Sequence, residues 1–254
     1  MNYRVRIVRK VIQIFFIIIL LLPLWFIDLY WYGTYISADL AGVALTDPLT
    51  VLEITLAGKS LWEPLFISAL PLTFIAVLGG RLFCSYVCPL NFLLELIPVK
   101  KQRVLREKRL PLLALGITLC LSLLLSLPVF NIVSPIFALM RMLLFGVGME
   151  VILLLLVLAA ALIWGQKIWC RTLCPLGALY GLLGSKRLLV VQVNERKCSH
   201  CGKCAAACSM GTAPGRDGLT DNILCTNCGD CIAACPEGAL SFTMSRHPKK
   251  EGAA

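Results

Sequence analysis

Twelve of the thirteen cysteines fall into four short runs of two kinds. Near the C-terminus, Cys198, Cys201, Cys204 and Cys208 form one C-x2-C-x2-C-x3-C run, and Cys225, Cys228, Cys231 and Cys235 form another. Thiolate is the soft ligand that iron–sulfur chemistry needs. In paired runs of this spacing the fourth cysteine of each run serves the other cluster. The pattern predicts one 4Fe–4S centre on Cys198, Cys201, Cys204 and Cys235, and a second on Cys225, Cys228, Cys231 and Cys208. A zinc site closes with four ligands and has no use for two complete runs, so iron–sulfur is the better reading. One asymmetry is visible: Cys235 is followed by Pro236, but Cys208 by Ser209. The change alters the surroundings of one cluster without removing a ligand.

The second kind is C-x3-C-P, at Cys84, Cys88 and Pro89 and again at Cys170, Cys174 and Pro175, each where a long apolar stretch ends. Residues four apart share a helix face, and a proline directly after should bend or end that helix. Each pair thus presents two thiols together. A twofold relation between the halves would bring Cys84, Cys88, Cys170 and Cys174 into one four-thiolate site. A third iron–sulfur or mononuclear iron centre is the expectation there. A redox dithiol and inert packing stay open. The remaining cysteine, Cys120, lies in an apolar run and is expected to be a buried, inert hydrophobe.

The elements that must position these thiols read as membrane helices. The chain of 254 residues is 59% hydrophobic, with a mean hydropathy of +0.84. Four apolar segments, roughly 11–29, 62–83, 111–130 and 147–164, reach the ~18–20 residues a bilayer core requires. Charge is scarce but unbalanced, at +10. The cations flank apolar segments, as in membrane orientation, and no nucleic-acid-binding module accompanies them. Arg4, Arg6, Arg9 and Lys10 precede the first segment, and Lys100, Lys101, Arg103, Arg106, Lys108 and Arg109 follow the second. The positive-inside rule then puts both termini in the cytoplasm of a multi-pass inner-membrane protein.

An internal repeat sharpens this picture. Residues 79–90 align with 165–176, and Asp47-Pro48 upstream corresponds to Ser134-Pro135. Asp or Ser before Pro is a helix-start signal. Each half should therefore read as a span, a short outer helix (over 49–57 or 132–146), a second span and a C-x3-C-P motif. The expected fold is an all-α membrane domain over 1–189, with four transmembrane helices in two tandem pseudo-symmetric halves. An α+β domain binding two clusters follows over 190–245, and a flexible tail over 246–254. Asp28, Glu63, Arg141 and Glu150 are candidates for a quinone-binding site at the outer ends of the spans. Only His200 and His247 are present, both in the hydrophilic C-terminal part, so no membrane haem with histidine ligands can be built. No phosphate-binding glycine motif indicates a nucleotide or flavin.

Three stretches together resemble the NapH family: 45–49 (LTDPL), 80–91 (GRLFCSYVCPLN) and 170–186 (CRTLCPLGALYGLLGSK). The C-x3-C-P motifs are shared with a wider group of membrane polyferredoxins, including those of nitrous-oxide reductase clusters and copper-handling homologues. The resemblance implies a membrane quinol dehydrogenase component that oxidises quinol. Electrons would pass toward a periplasmic nitrate reductase through a ferredoxin-like, NapG-like partner, with a membrane cytochrome as a further partner. It also matches the eight C-terminal cysteines to the family's cluster ligands. Two other readings stay open: a maturation factor that reductively activates a partner metalloenzyme, and a cluster-bearing membrane anchor.

Overall fold

The computed structural model describes residues 3–21, 31–33, 37–40, 43–97, 109–146, 148–212, 214–215, 218–219 and 223–244. Asp28, the basic loop around 100–108 and the tail 246–254 lie outside them. In chain order the helices are α1 (Tyr3–Leu21), α2 (Pro48–Gly58), α3 (Glu63–Gly79), α4 (Leu82–Tyr86), α5 (Pro89–Leu96), α6 (Leu110–Leu125) and α7 (Val129–Val133). They continue as α8 (Pro135–Phe145), α9 (Glu150–Trp164), α10 (Ile168–Thr172), α11 (Pro175–Leu183), α12 (Lys203–Ala207) and α13 (Asp230–Ala234). The strands are β1 (Trp31–Gly33), β2 (Ser37–Leu40), β3 (Val43–Thr46), β4 (Leu189–Val193), β5 (Pro214–Gly215), β6 (Gly218–Leu219) and β7 (Leu240–Met244).

The repeat is legible in this order. The series α2, α3, α4, α5 returns as α8, α9, α10, α11. Both series open on the expected caps: Asp47 accepts from the amides of Leu49 and Thr50, and Ser134 accepts from the amide of Ile136. The halves exchange contacts, α5 packing on α8 and α11 on α2. Leu49, Leu90, Leu94, Ala161, Ala178 and Tyr180 form the buried centre between them. The C-terminal part pairs β4 antiparallel with β7, joining the first and last segments of the cysteine region.

The four transmembrane helices expected from the sequence are not present: among the described residues no helix is long and apolar enough to cross a membrane. The cause is where helices stop. The apolar run 62–83 continues past Gly79, but Gly80 has φ 68° and ends α3 after 17 residues. At about 25 Å this is shorter than a hydrocarbon core of about 30 Å. Ser126, at φ 53°, ends α6 after 16 residues, and α9 has 15. The 19-residue α1 carries the basic residues 4–10 inside its own length. Composition continues across residues whose backbone ends the helix, so a hydropathy window overestimates its length. Outer faces of the helices are nonetheless apolar, as with Ile67, Leu70 and Phe74 on α3 and Leu155, Leu156 and Ile163 on α9. Cys120 is on such a face of α6, exposed rather than buried.

Candidate functional site

The two C-x3-C-P motifs build matching corners. In each, a short helix carries the first cysteine (Cys84 on α4, Cys170 on α10). The second cysteine then becomes the N-cap of a new helix with proline at its first position (Cys88 before α5, Cys174 before α11). The amide of Gly177 donates to Cys174 Sγ at 3.4 Å. The pairs from the two halves meet: each of Cys84, Cys88, Cys170 and Cys174 lies within electrostatic reach of the other three. Burial raises all four thiols, Cys88 to about 12, with neighbouring sulfurs adding to the shift of Cys84, Cys88 and Cys170. As free thiols they stay protonated and poorly nucleophilic. Burial of this kind suits ligands that a metal centre deprotonates.

Two cations that sequence reasoning missed flank the thiols. Arg81 and Lys167 occupy equivalent places in the repeat, just before α4 and α10, and are 1% and 2% exposed. Arg81 Nη1 donates to the carbonyl of Cys170 at 3.3 Å. The guanidinium fits because Gly181 has no side chain: a Cβ there would overlap Arg81 and the carbonyl of residue 223. The repeat alignment paired these positions, but nothing local marked either as buried. Asp47 was also read only as a helix cap. Its second oxygen accepts from Tyr180 Oη at 2.6 Å. Burial lifts this carboxyl to about 6, against the pull of Tyr180 and the two amides. Asp47, Thr50, Phe83, Cys88, Phe130 and Ser134 line a cavity of about 10 Å³ between the two halves, room for about one water.

The C-terminal cysteines form a second pseudo-symmetric pair. Each C-x2-C-x2-C loop carries two left-handed residues, His200 and Gly202 in the first, Asn227 and Gly229 in the second. Each leads into a one-turn helix, α12 or α13, and a fourth cysteine whose sulfur accepts an amide, Thr212 N to Cys208 at 3.3 Å and Ala239 N to Cys235 at 3.4 Å. Cys204, Cys231 and Cys235 pack together on one apolar cluster with Ile232 and Leu240. Successive left-handed turns of this kind point amides inward, a cradle for an anion.

The loops differ in what covers them. The second is fastened to the helical body. Arg9 Nη1 donates to the carbonyl of Cys228 (3.3 Å) and to Asp230 (3.1 Å). Arg187 Nη1 donates to the carbonyl of Cys225 (3.0 Å), and Arg171 Nη1 to that of Ser209 (3.4 Å). Asn227 Nδ2 donates to the carbonyls of Gly79 (3.1 Å) and Leu189 (2.9 Å). Behind it, Glu95 binds Arg9 (3.2 Å), Lys10 (2.6 Å) and Lys167 (3.0 Å). Burial alone would raise Glu95, but Lys167 and Arg9 hold it down at about 2. Lys167 also eases the burial of Cys228, whose thiol is pushed up to about 11. The second loop thus lies against the C-x3-C-P site, with Lys167 shared between them. In the first loop Cys201 is exposed.

Of the quinone-site candidates, Glu63, Arg141 and Glu150 lie among the described residues. Glu63 opens α3, while Arg141 Nε pairs with Glu150 Oε1 at 2.8 Å and Arg141 Nη2 donates to the carbonyl of Ile132. Among the described residues, no three or more His, Cys, Asp or Glu side chains converge tightly enough for a single metal ion. In a 4Fe–4S cube each cysteine binds a different iron, so the thiols can stand farther apart than around one ion.

Comparison with known proteins fits this layout. Residues 61–108 and 147–192 both match one 4Fe-4S binding domain family, each match holding one C-x3-C-P motif, and residues 220–241 match a second. The methylamine utilization ferredoxin-type protein MauN of Paracoccus denitrificans is 34% identical over 191 residues, 70% of this chain and 67% of MauN. The ferredoxin-type protein NapH of Escherichia coli is 32% identical over 218 residues, 82% of this chain and 75% of NapH. NapH of Haemophilus influenzae is 35% identical over 180 residues, 65% and 61% of the two chains. No solved structure matches.

Proposed function

The chain belongs to the family of ferredoxin-type proteins that includes NapH and MauN, and from that premise we propose an electron carrier with three iron–sulfur centres. Two are the crossed pair: Cys198, Cys201, Cys204 and Cys235 hold one 4Fe–4S cluster, and Cys208, Cys225, Cys228 and Cys231 the other. The third rests on Cys84, Cys88, Cys170 and Cys174. When bound, such clusters carry single electrons. The observation that carries the reading is the junction: Arg9, Arg187 and Asn227 clamp the second loop, and Arg171 the residue after Cys208, onto the body that holds the four buried thiols.

The residues around the third site fit an anionic group. Arg81 and Lys167 bring two buried positive charges to four thiols, and buried charge is tolerated where an opposite charge meets it. The donor in this reading is a quinol, which releases two electrons and two protons on becoming quinone. Apolar outer faces on α3, α6 and α9 favour attachment to the inner membrane, the phase that dissolves such a donor. The exposed Cys201 loop is the face for a ferredoxin-like protein partner, and a periplasmic nitrate reductase is the terminal acceptor by analogy with the NapH relatives.

Iron and acid-labile sulfide counts on the purified protein test the third centre. Cys88→Ser with Cys174→Ser should remove about one third of both while sparing the rest. Undiminished iron in that variant overturns it. Anaerobic addition of a reduced quinol should develop the spin signal of reduced clusters; clusters that stay oxidised count against quinol as donor.

A further inference from the structure

The two C-terminal cluster sites share a backbone but not the residues that follow their ligands. Ser209, after Cys208, is 7% exposed, and Thr226, after Cys225, is 5% exposed. Neither hydroxyl has a hydrogen-bond partner among the described residues. Their counterparts in the other half are Ser199, after Cys198, and Pro236, after Cys235, and both are exposed. Both buried hydroxyls thus adjoin ligands of the same site, the one fastened to the helical body.

A hydroxyl buried without a partner costs about 1–3 kcal/mol. Two such groups, each next to a ligand of the same site, point to an acceptor there. Sulfur is the acceptor that this site brings, and the sulfur of Cys208 already accepts a protein donor: Thr212 N lies 3.3 Å from Cys208 Sγ. Resting on the crossed-ligand reading above, we infer that Ser209 and Thr226 donate hydrogen bonds to sulfurs of the cluster held by Cys208, Cys225, Cys228 and Cys231, raising its reduction potential above that of its partner. Hydrogen bonds to sulfur stabilise the reduced, more negative form, and the potential rises accordingly. Arg187, whose Nη1 donates to the carbonyl of Cys225, acts in the same direction. The electron therefore rests at the buried site, next to the C-x3-C-P thiols, and reaches the exposed site by an uphill step.

Ser209 and Thr226 are positioning residues in this account, so the readout is a potential. The full-length, cluster-loaded protein is titrated by electron paramagnetic resonance against a series of redox mediators. Ser209→Ala and Thr226→Val should each lower the reduction equilibrium constant of one and the same C-terminal cluster. Together they should lower it about tenfold, equivalent to 59 mV for one electron. Thr226→Ser and Ser209→Thr keep the hydroxyl and should keep the wild-type value, and Ser199→Ala should shift nothing. Unchanged potentials in both hydroxyl-free variants overturn the inference, as does an equal shift in the conservative ones, which would make the effect one of packing. Iron content separates the layers: wild-type protein lacking the two C-terminal clusters refutes the underlying reading instead. If Ser209→Ala fails to retain iron, Thr226→Val and Thr226→Ser decide the question alone.

Discussion

The Cys198–Cys204 and Cys225–Cys231 loops follow the same path, with left-handed residues at 200 and 202 in one and 227 and 229 in the other. Only the second is built into the body of the molecule. His200 is exposed, whereas its counterpart Asn227 is 1% exposed and ties two distant carbonyls together. Val5 of α1 lies over Gly229, where a Cβ would collide with it. Of the two copies of this frame, one is open to solvent and the other is sealed against the body that carries the C-x3-C-P thiols. Burial, not ligand geometry, separates them.

Breaking the seal should have the largest effect. Glu95 compensates Arg9 and Lys167, 2% exposed each. Glu95→Gln leaves two buried cations short of their counter-charge, and the expected loss is about 3–5 kcal/mol in chemical unfolding. A loss under about 1 kcal/mol would show that the network contributes nothing to the junction. Acid should act through the same group. Its folded carboxyl titrates at about 2, below the unfolded value of about 4.3. The stability it supplies is complete above about pH 4.3 and disappears as the pH falls toward 2, amounting to roughly 3 kcal/mol. Unfolding curves of wild type and Glu95→Gln should converge over that window. Parallel curves would refute the charge-compensated role.

The matched positions in the two loops offer the next comparison. Asn227→Ala removes both donors from the carbonyls of Gly79 and Leu189 and should cost about 2 kcal/mol. His200→Ala, on the open copy, should stay within about 0.5 kcal/mol. Equal costs would mean that the loops are not distinguished by docking. A spectroscopic version asks which cluster is lost first. Brief ferricyanide oxidation should remove iron from the Cys198 site before the Cys225 site, so the earlier-lost signal belongs to the cluster whose potential Ser199→Ala and Ser209→Ala leave unmoved.

Local signals made much of this legible from sequence. Cysteine spacing gave both kinds of run, and Asp47-Pro48 and Ser134-Pro135 marked helices that begin at 48 and 135. Proline after Cys88 and Cys174 correctly foretold a break at each motif. What sequence hid was long-range or conformational. Arg9 meets Glu95 across 86 residues and Asp230 across 221, so it read as one more cation of a basic arm. Nothing local marks Arg81 or Lys167, because their burial depends on the packing of distant elements. The helix lengths failed because Gly80 and Ser126 take positive φ within apolar surroundings that a composition window cannot divide.

The smallest expected effect tests whether burial is the deciding variable. Arg6 and Arg9, one turn apart on α1, both reach Asp230 beside the second loop, at 3.6 and 3.1 Å. Their side chains are 48% and 3% exposed. Water screens the first pair, so Arg6→Ala should cost under about 1 kcal/mol and less in high salt. Arg9→Ala also strips the carbonyl of Cys228 and one oxygen of Glu95 of a buried donor, and should cost several times more. The two arginines share a helix, a partner and a charge, so a difference in cost isolates desolvation. Equal costs would place the anchoring of this loop in the carboxylate of Asp230 alone, and the contrast between the two cysteine loops would need another cause.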